Sequence, residues 1–297
     1  MLKQKIQDTK FSHVQNTIKK YVLTHEHDIQ NLSLKDLANQ TYTSSATVLR
    51  FISKLGYNNY VEFQKDFSRE IEYLDAHFQN IDPNYPFLET DSIYTISSKI
   101  TILAKETMDD TLHLMTHDSL QMAVNLISRA KHIHLFAISY SLLHGQEFRF
   151  NMMRIGKMVH ICEQIGEEYF TLNLLTKDDC AIFISYSGER EKLVDIAKRC
   201  RLKSVPIIVI TNVGDSRLKK YADVVLHIST REKLYSKIAG FCNEYSIKLI
   251  LDILYSCYFA SDYQKHLNMK LQVSEYAEEG KQYITSDILK EPVNYFV

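Results

Sequence analysis

Two segments rich in serine have the side chains that can hold a phosphate group without a metal ion. They are residues 137–141 (AISYS) and residues 185–190 (SYSGER). Each follows a short apolar run and comes just before a segment with helical spacing. Hydroxyl groups and the free backbone N–H groups at a helix N-terminus together bind anions. Serine is also a common N-cap residue, so helix capping alone is an alternative explanation of both segments.

A third segment, residues 34–56, has the layout of a helix-turn-helix: a short helix, a tight turn and a longer amphipathic helix. Small side chains near the start of the longer helix let its backbone approach a DNA groove, and a long cation one turn later reaches a guanine edge or a phosphate. An ordinary amphipathic helix with a solvated polar face is the alternative. The apolar face carries Val48, Phe51, Ile52 and Leu55, and the polar face carries Ala46, Thr47, Arg50, Ser53 and Lys54.

The charge of the chain limits how it can bind DNA. The formal net charge is −1 at pH 7, so any DNA contact must come from a local patch rather than from overall attraction. Residues 1–69 contain ten Lys and Arg against six Asp and Glu, a local charge of +4. This excess agrees with a DNA-binding region around residues 34–56.

Glycine positions indicate where the fold class changes. Gly56 is the single glycine among residues 1–140, and the other seven lie between 145 and 280. The front is therefore predicted to be all-helical, and the back to have the glycine-containing turns of an α/β fold. Between them, residues 80–91 carry Pro83 and Pro86 and have no periodicity. We predict a linker there.

In the front half, capping signals predict where the helices begin. In a capping box, a serine is followed three residues later by a side chain that returns its hydrogen bond. Gly56 is a natural C′ residue and is expected to end the third helix. The expected helix starts are Ser12 with Gln15, Ser33 with Asp36, Ser44 and Tyr60.

In the back half, short apolar runs alternate with helical patterns. Five such strands separated by helices imply a parallel sheet that is covered on both faces. A long helical stretch at residues 232–262 is expected to close this domain. The predicted strands are residues 132–138, 157–162, 180–184, 205–210 and 223–228.

The predicted fold class is an all-α helix-turn-helix domain followed by an α/β domain with a five-stranded parallel sheet flanked by helices. Two domains are also expected because 297 residues exceed what one hydrophobic core usually organises. The expected divisions are a DNA-binding domain at 1–77, a linker at 78–94, a ligand-sensing domain at 95–270 and a C-terminal tail at 271–297.

Bulk composition, 45% apolar and 24% charged, is that of an ordinary globular protein. The amino terminus lacks the apolar core of a signal peptide, and no apolar run is long enough to span a membrane. The five cysteines are an odd number without a C-x-x-C pair, which disfavours a disulfide framework or a zinc site. We therefore expect a cytoplasmic protein with reduced thiols and with neither metal nor cofactor.

The front of the chain, residues 11–75, resembles the amino-terminal domain of RpiR-type transcriptional regulators. The resemblance implies that the third helix reads DNA in the major groove. The residues that carry it are Ser44, Ala46, Thr47, Arg50, Phe51, Leu55, Gly56, Tyr57, Tyr60 and Phe63. The candidate DNA contacts are Ser44, Ser45, Thr47, Arg50 and Lys54.

Residues 95–262 resemble a sugar-isomerase (SIS) domain, the usual partner of this helix-turn-helix. The resemblance implies that Ser141, Ser185 and Ser187 contact a phosphosugar. We expect backbone N–H groups around Gly188 to bind the same anion. The matching pieces are Ser141 with residues 154–156, residues 185–189, residues 210–212 and residues 222–226.

Two features depart from the SIS pattern. Ala137 and Ser139 replace glycines that precede the first serine, so their Cβ atoms take up space in the site. Arg190 stands where the family has a phosphate-binding threonine, and a cation in the first turn of a helix opposes the helix dipole by about 0.3–1 kcal/mol. Either an anion lies nearby, which makes Arg190 a candidate ligand contact, or Arg190 pairs with Glu189 or Glu191.

These features predict a DNA-binding regulator of sugar or amino-sugar metabolism whose DNA binding is modulated by a phosphorylated sugar. Its expected partners are a double-stranded DNA operator, that effector, and further copies of the chain in a homodimer or homotetramer, since one helix-turn-helix contacts too few base pairs. This interpretation assigns no catalytic residue.

Two alternatives remain open. One is a sugar-phosphate isomerase, for which Glu232, at the start of the long helix, could be the base; otherwise it is a ligand-contacting or surface carboxylate. The other is a SIS oligomerisation module with a protein-docking helical domain.

Overall fold

The front region is helical in the structure, a computed structural model that describes residues 2–77, 81–162 and 166–278. Its helices are α1 (Leu2–Asp8), α2 (His13–Thr24), α3 (Leu34–Gln40), α4 (Ser45–Lys54) and α5 (Tyr60–His77), with a 3₁₀ turn at Ile29–Asn31. The sequence does not predict α1. It forms because Leu2 and Ile6 are buried and because the Glu70 carboxylate accepts hydrogen bonds from the N–H groups of Leu2 and Lys3, at 2.5 and 2.9 Å.

Both predicted capping boxes are confirmed. Ser12 Oγ accepts from Gln15 N at 3.4 Å while Gln15 Oε1 accepts from Ser12 N at 3.2 Å. Ser33 and Asp36 make the equivalent pair at 3.2 and 3.1 Å. These reciprocal bonds satisfy N–H groups that a helix start otherwise leaves without partners, so α2 and α3 begin where the sequence predicts.

Helix α4 also has its predicted limits. Ser44 is its N-cap and Leu55 its C-cap. Gly56 follows with φ +90°, in the left-handed region that favours glycine. Beneath α4, three phenylalanines form the centre of the front core: the rings of Phe51 and Phe63 meet edge to face at 6.3 Å, and those of Phe63 and Phe67 stack at 5.7 Å.

The back region contains the predicted five-stranded parallel sheet. All neighbouring strands pair in parallel, in the order β2-β1-β3-β4-β5. The strands are β1 (Ile133–Phe136), β2 (Val159–Ile161), β3 (Cys180–Ile184), β4 (Ile207–Thr211) and β5 (Val224–His227). The three inner strands β1, β3 and β4 are buried along their whole length, as expected for a sheet covered on both faces.

Helices cover both faces of the sheet. Apolar residues of α7, α8 and α11 pack on one face, and those of α9 and α10 pack on the other. The helices of this region are α6 (Ile93–Leu114), α7 (His117–Arg129), α8 (Tyr140–Met153), α9 (Glu167–Leu174), α10 (Glu191–Leu202), α11 (Phe241–Ala260) and α12 (Tyr263–Glu278), with a 3₁₀ turn at Leu218–Tyr221.

The sequence predicts a long helix at residues 232–262, and the predicted start of that helix is wrong. Helix α11 begins only at Phe241, and residues 229–240 have neither helix nor strand. We call residues 229–240 the closing loop. Residues 81–92 are also without helix or strand, and α12 runs past the tail boundary expected at residue 270.

Three cysteines lie inside the α/β region. Cys180, Cys200 and Cys242 are buried, and burial raises the pKa of each thiol to about 12. A thiol with that pKa stays protonated near neutral pH and is a poor nucleophile.

Among the helices of the described ranges, none has the length and apolar character that crossing a lipid bilayer requires.

Candidate functional site

Helix α4 presents one face to the core and the other to solvent. Val48, Phe51 and Ile52 are buried, whereas Arg50 and Lys54 are exposed. This is the division predicted from the spacing of the sequence. The polar face therefore lies where a DNA groove could reach it.

The predicted contacts at the start of α4 also cap the helix. Ser44 Oγ accepts a hydrogen bond from Thr47 N at 3.3 Å and lies 2.9 Å from Thr47 Oγ1. Ser44 is exposed, and Ser45 and Thr47 are half-buried. Capping and DNA contact are compatible, because a hydroxyl that accepts from the helix can still donate its own proton.

The two cations of α4 are held loosely. Arg50 Nε donates to Ala46 O at 3.3 Å, and Lys54 Nζ lies 5.8 Å from the centroid of the Phe11 ring. Within the described ranges, no carboxylate pairs with either cation. Their charge is therefore available to a phosphate backbone or a guanine edge.

Tyr42 is a further candidate that the sequence reasoning missed. It lies in the turn between α3 and α4, its side chain is 97% exposed, and its φ is +51°. A tyrosine in the left-handed region is uncommon, and such a conformation is strained. The turn thus holds an aromatic ring in solvent beside the start of α4. No capping or periodicity signal points to this position.

The two serine-rich segments leave the sheet side by side. Strands β1 and β3 are neighbours, and Phe136 pairs with Phe183 in register. Because carboxyl ends of parallel strands meet at one edge, the segment after Phe136 and the segment after Ile184 emerge together. Ser141 and Ser185 are both buried there, at 8% and 6% exposure.

The hydroxyls of the second segment fold back onto its own backbone. Ser185 Oγ accepts from Gly188 N and Ser187 Oγ accepts from Glu189 N, each at 3.2 Å. These two N–H groups are therefore already satisfied by serine. Each hydroxyl keeps a proton to donate, so the O–H groups are the donors this segment offers to an anion.

Gly188 is required by its surroundings. Its φ is +65°, and a Cβ at this position would lie 2.3 Å from Ser216 Oγ. Ser216 is buried, and its Oγ has no hydrogen-bond partner in the described part of the chain. An unsatisfied buried hydroxyl beside the serine-rich segment is a further candidate anion contact, because leaving such a group unpaired is costly. The sequence reasoning did not identify Ser216.

Ser139, which replaces a glycine of the SIS pattern, has a backbone conformation that is typical of glycine. Its φ is +60° and its ψ is −136°, and it precedes α8 without a side-chain capping bond. A serine there is strained by roughly 1–3 kcal/mol. This segment therefore keeps a glycine-type backbone with an added Cβ, as the departure from the SIS pattern implies.

Arg190 lies just before α10 rather than in its first turn, which corrects the predicted position by one residue. It is exposed, and within the described ranges it forms no ion pair. Glu189 pairs instead with Arg217, whose Nε donates to its carboxylate at 2.7 Å. Glu191 does not pair with Arg190 in the described ranges either, so the alternative in which Arg190 pairs with Glu189 or Glu191 is wrong.

The sequence predicts Glu232 at the start of a helix, but the structure places this residue in the closing loop. Its side chain is fully buried. Its Oε1 accepts from Cys242 N at 2.6 Å and its Oε2 accepts from Lys237 Nζ at 2.6 Å. The carboxylate thus stabilises the N-terminus of α11 from a distance in sequence, where negative charge is favoured. Both oxygens are engaged within the protein.

The closing loop is fastened to the second serine-rich segment by Tyr186. The Tyr186 hydroxyl donates to Glu232 O and accepts from Glu232 N at 3.1 Å. Lys237 Nζ lies 5.1 Å from the centroid of the Tyr186 ring. From the other side, Asn212 Nδ2 donates to Tyr186 O at 2.6 Å. Burial raises the pKa of Tyr186, so its hydroxyl stays protonated.

A separate cavity of 940 Å³ contains none of the predicted site residues. It lies beside β1 and β2 and is lined by His132, His134 and His160 together with residues of α8 and α9. Burial lowers the pKa of His134 to about 4 and lowers that of His160 as well. His134 and His160 are therefore neutral near pH 7, and the guanidinium in the lining belongs to Arg149. None of the predicted phosphate-contacting serines lines this cavity, so the serine-rich segments remain the candidate anion site.

Comparison with known proteins assigns two regions of the chain to domain families. Residues 2–73 match the helix-turn-helix domain of the rpiR family, and residues 126–252 match the SIS domain. An uncharacterized HTH-type transcriptional regulator of Haemophilus influenzae is 25% identical over 229 residues, which cover 77% of this chain and 78% of the relative.

Solved structures share the fold. The Vibrio vulnificus NanR protein, complexed with ManNAc-6P, aligns over 93% of this chain and 98% of its own with a TM-score of 0.60 and 22% identity. The sugar isomerase domain of an RpiR transcription factor from Sphaerobacter thermophilus aligns over 61% of this chain and 98% of its own, with a TM-score of 0.54 and 18% identity. A Listeria monocytogenes protein described as a sugar-phosphate isomerase aligns over 64% of this chain and all of its own, with a TM-score of 0.54 and 16% identity.

The two matched regions occur in one chain, with the helix-turn-helix first and the SIS domain second. The helical front, the parallel sheet and the exposed face of α4 agree with that arrangement. The chain therefore belongs to the rpiR family of helix-turn-helix transcriptional regulators that carry a SIS domain.

Proposed function

We propose that this chain is a cytoplasmic, DNA-binding regulator of sugar or amino-sugar metabolism, and that a phosphorylated sugar in the SIS domain modulates its DNA binding. The observation that carries the proposal is the exposed polar face of α4, where Arg50 and Lys54 have no carboxylate partner in the described part of the chain. The rpiR-type match over residues 2–73 supports the same role for this helix.

On DNA, α4 enters the major groove with its N-terminal end. Ser44, Ser45 and Thr47 contact the backbone or base edges at the start of the helix. Arg50, one turn further, reads a base, and Lys54 binds a phosphate. A guanidinium bonded to guanine adds sequence specificity, whereas an ammonium on a phosphate adds affinity that depends on salt.

The effector binds where the serine-rich segments meet. Ser141, Ser185 and Ser187 donate hydroxyl protons to its phosphate, and Ser216 supplies the fourth donor. Arg190, which is exposed at the N-terminus of α10, adds a charge. The supporting observations are the shared sheet edge, the unsatisfied Ser216 Oγ and the complex of the NanR neighbour with ManNAc-6P.

The regulator is proposed not to catalyse isomerisation. A base for that reaction must reach the carbon next to the carbonyl group. Glu232, the carboxylate considered for that role, is buried and bonded through both oxygens to Cys242 N and Lys237 Nζ. Incubating the protein with sugar phosphates and following ketose formation checks this, and turnover would favour the enzyme.

A homodimer or homotetramer bound to a two-fold DNA site completes the proposal. One helix-turn-helix contacts only a few base pairs, and symmetric dimers are the commonest remedy. Several large apolar side chains of α6 are exposed, including Ile93, Tyr94 and Leu112. Sedimentation in which the protein is a monomer at micromolar concentration, with undiminished DNA binding, would contradict this part.

The function is tested by retardation of DNA taken from directly upstream of the protein's own gene. We expect a specific complex whose midpoint shifts when N-acetylmannosamine 6-phosphate or another sugar phosphate is added. Unphosphorylated N-acetylmannosamine is the matched control and should have no effect. Binding that does not distinguish this DNA from unrelated DNA would overturn the proposal.

A further inference from the structure

A buried asparagine joins the inter-domain segment, residues 81–92, to the closing loop. Asn84 is 7% exposed. Its Oδ1 accepts a hydrogen bond from Lys233 N at 2.7 Å, and its backbone oxygen accepts from Ile238 N at 2.9 Å. Next to it, the Tyr85 hydroxyl lies 2.8 Å from Ser236 Oγ. The segment that follows the DNA-binding domain is therefore bonded to the closing loop at three points.

The orientation of the Asn84 amide is set by its own neighbour. Asp82 Oδ1 accepts from Asn84 N at 2.8 Å and from Asn84 Nδ2 at 2.9 Å. With its NH₂ group committed to Asp82, the amide must turn its oxygen towards Lys233. A buried amide with every group bonded holds one geometry, because any rotation would leave a polar group unpaired.

The closing loop contacts the candidate anion site on its other side. Tyr186, which lies between Ser185 and Ser187, exchanges two hydrogen bonds with the backbone of Glu232. Lys237 pairs with Glu232 at 2.6 Å and lies over the Tyr186 ring. Tyr186 shares its backbone with the two serines, and Lys237 contacts the Tyr186 ring, so both residues link the candidate anion site to the closing loop.

We infer that the closing loop transmits effector occupancy to the DNA-binding domain through Asn84. The inference rests on the proposed function and specifies how the effector site is coupled to DNA. Displacement of Tyr186 or Lys237 moves the backbone at Lys233 and Ile238, and Asn84 follows because it is bonded to both. Helix α5 ends at His77, seven residues before Asn84, so the movement enters the chain close to the DNA-binding domain.

Coupling between two binding sites is reciprocal. If the effector changes DNA affinity through Asn84, then DNA must change the closing loop through the same contact. Amide hydrogen exchange of residues 229–240, measured with and without operator DNA, therefore tests the route without knowledge of the effector. Asn84→Ala removes the side-chain bond to the loop. Lys99→Gln is the matched control, because it breaks an ion pair with Asp91 at 2.6 Å without touching the closing loop.

In the parent and in Lys99→Gln, we expect DNA to change the exchange rates of the Lys233 and Ile238 amides by about fivefold or more. In Asn84→Ala the DNA-induced change at the Lys233 amide should disappear while retardation of DNA persists. The Ile238 amide keeps its bond to the backbone oxygen of residue 84, so its change should only become smaller. The inference is overturned if DNA leaves the loop of the parent unchanged, or if it changes the loop of Asn84→Ala equally.

A milder variant keeps the test decisive should Asn84→Ala fail to fold. Tyr85→Phe removes one hydroxyl from the exposed end of the same contact and should reduce the DNA-induced change; an undiminished change would count against the route. Failure of the proposed function is distinct, since it is seen as the absence of specific DNA retardation by the parent.

Discussion

Gly188 offers a sharp test of how the second serine-rich segment is built. Alanine at this position brings two separate penalties. An L-residue at φ +65° is strained by about 1–2 kcal/mol. In addition, the new Cβ would lie 2.3 Å from Ser216 Oγ and 2.6 Å from Ser216 Cβ, so Ser216 must move. Overpacking of this kind costs about 1–3 kcal/mol.

Summing the two contributions, Gly188→Ala should lower the free energy of unfolding by about 2–5 kcal/mol. Gly166→Ala is the matched control, because Gly166 has φ +94° and an added Cβ there meets no atom of the described residues within 4 Å. It should show the backbone strain alone. The difference between the two variants then measures the steric contribution from Ser216.

The assay is urea unfolding followed by far-ultraviolet circular dichroism. Two domains need not unfold together, so the effect should be confined to the transition of the α/β domain. Adding Ser216→Gly to Gly188→Ala should recover the steric part and leave the strain. Calorimetry should also show weaker sugar-phosphate binding by Gly188→Ala, since Ser216 is one of the donors that we propose for the phosphate.

Equal losses of stability in Gly188→Ala and Gly166→Ala would refute this account of the segment. So would a double variant with Ser216→Gly that is no more stable than Gly188→Ala. Either result would mean that Ser216 does not constrain Gly188.

The remaining predictions concern four charged or titrating groups. Arg50→Ala should weaken operator binding by about 1–3 kcal/mol and relax specificity, whereas Lys54→Ala should weaken binding to all sequences and flatten its salt dependence; retardation identical to the parent would exclude α4 as the reader. Arg190→Ala should weaken sugar-phosphate binding about tenfold or more in calorimetry, and unchanged affinity would mean that Arg190 stays in solvent. Burial holds the pKa of His134 at about 4, below the unfolded value of 6.5, so the folded state binds fewer protons and stability is lost as pH falls from 6.5 towards 4. His134→Phe should flatten this dependence of urea stability on pH, and an unaltered slope would assign it to other groups.

The parts of the fold that follow from local interactions are predictable from sequence. Two capping boxes depend only on local sequence, because the two partners of each pair are three residues apart. They are Ser12 with Gln15 and Ser33 with Asp36. The faces of α4 follow from helical periodicity, and Gly56 ends that helix because it can adopt a positive φ. Five buried apolar runs are enough to predict the strands, though not the order in which they pair.

The start of α11 shows where local patterns fail. Helical spacing continues through residues 232–240, yet these residues form the closing loop. Glu232 does not adopt helical geometry, because its backbone N–H donates to the Tyr186 hydroxyl, 46 positions away, and its carboxylate accepts from the N-terminus of α11. Long-range hydrogen bonds to a buried carboxylate outweigh the small helical propensity of a few residues, and propensity cannot anticipate them.

The site residues also fall into a set that local sequence predicts and a set that only long-range contacts reveal. Sequence alone determined which segments bear hydroxyls and cations: the two serine-rich segments, Arg50, Lys54 and Arg190. Tertiary structure alone decided that Ser216 lies against Gly188 and that Asn84 bonds to the closing loop. The physical reason is that the first set depends on residue type and spacing within one element, whereas the second depends on which buried polar groups the folded chain brings within hydrogen-bonding distance.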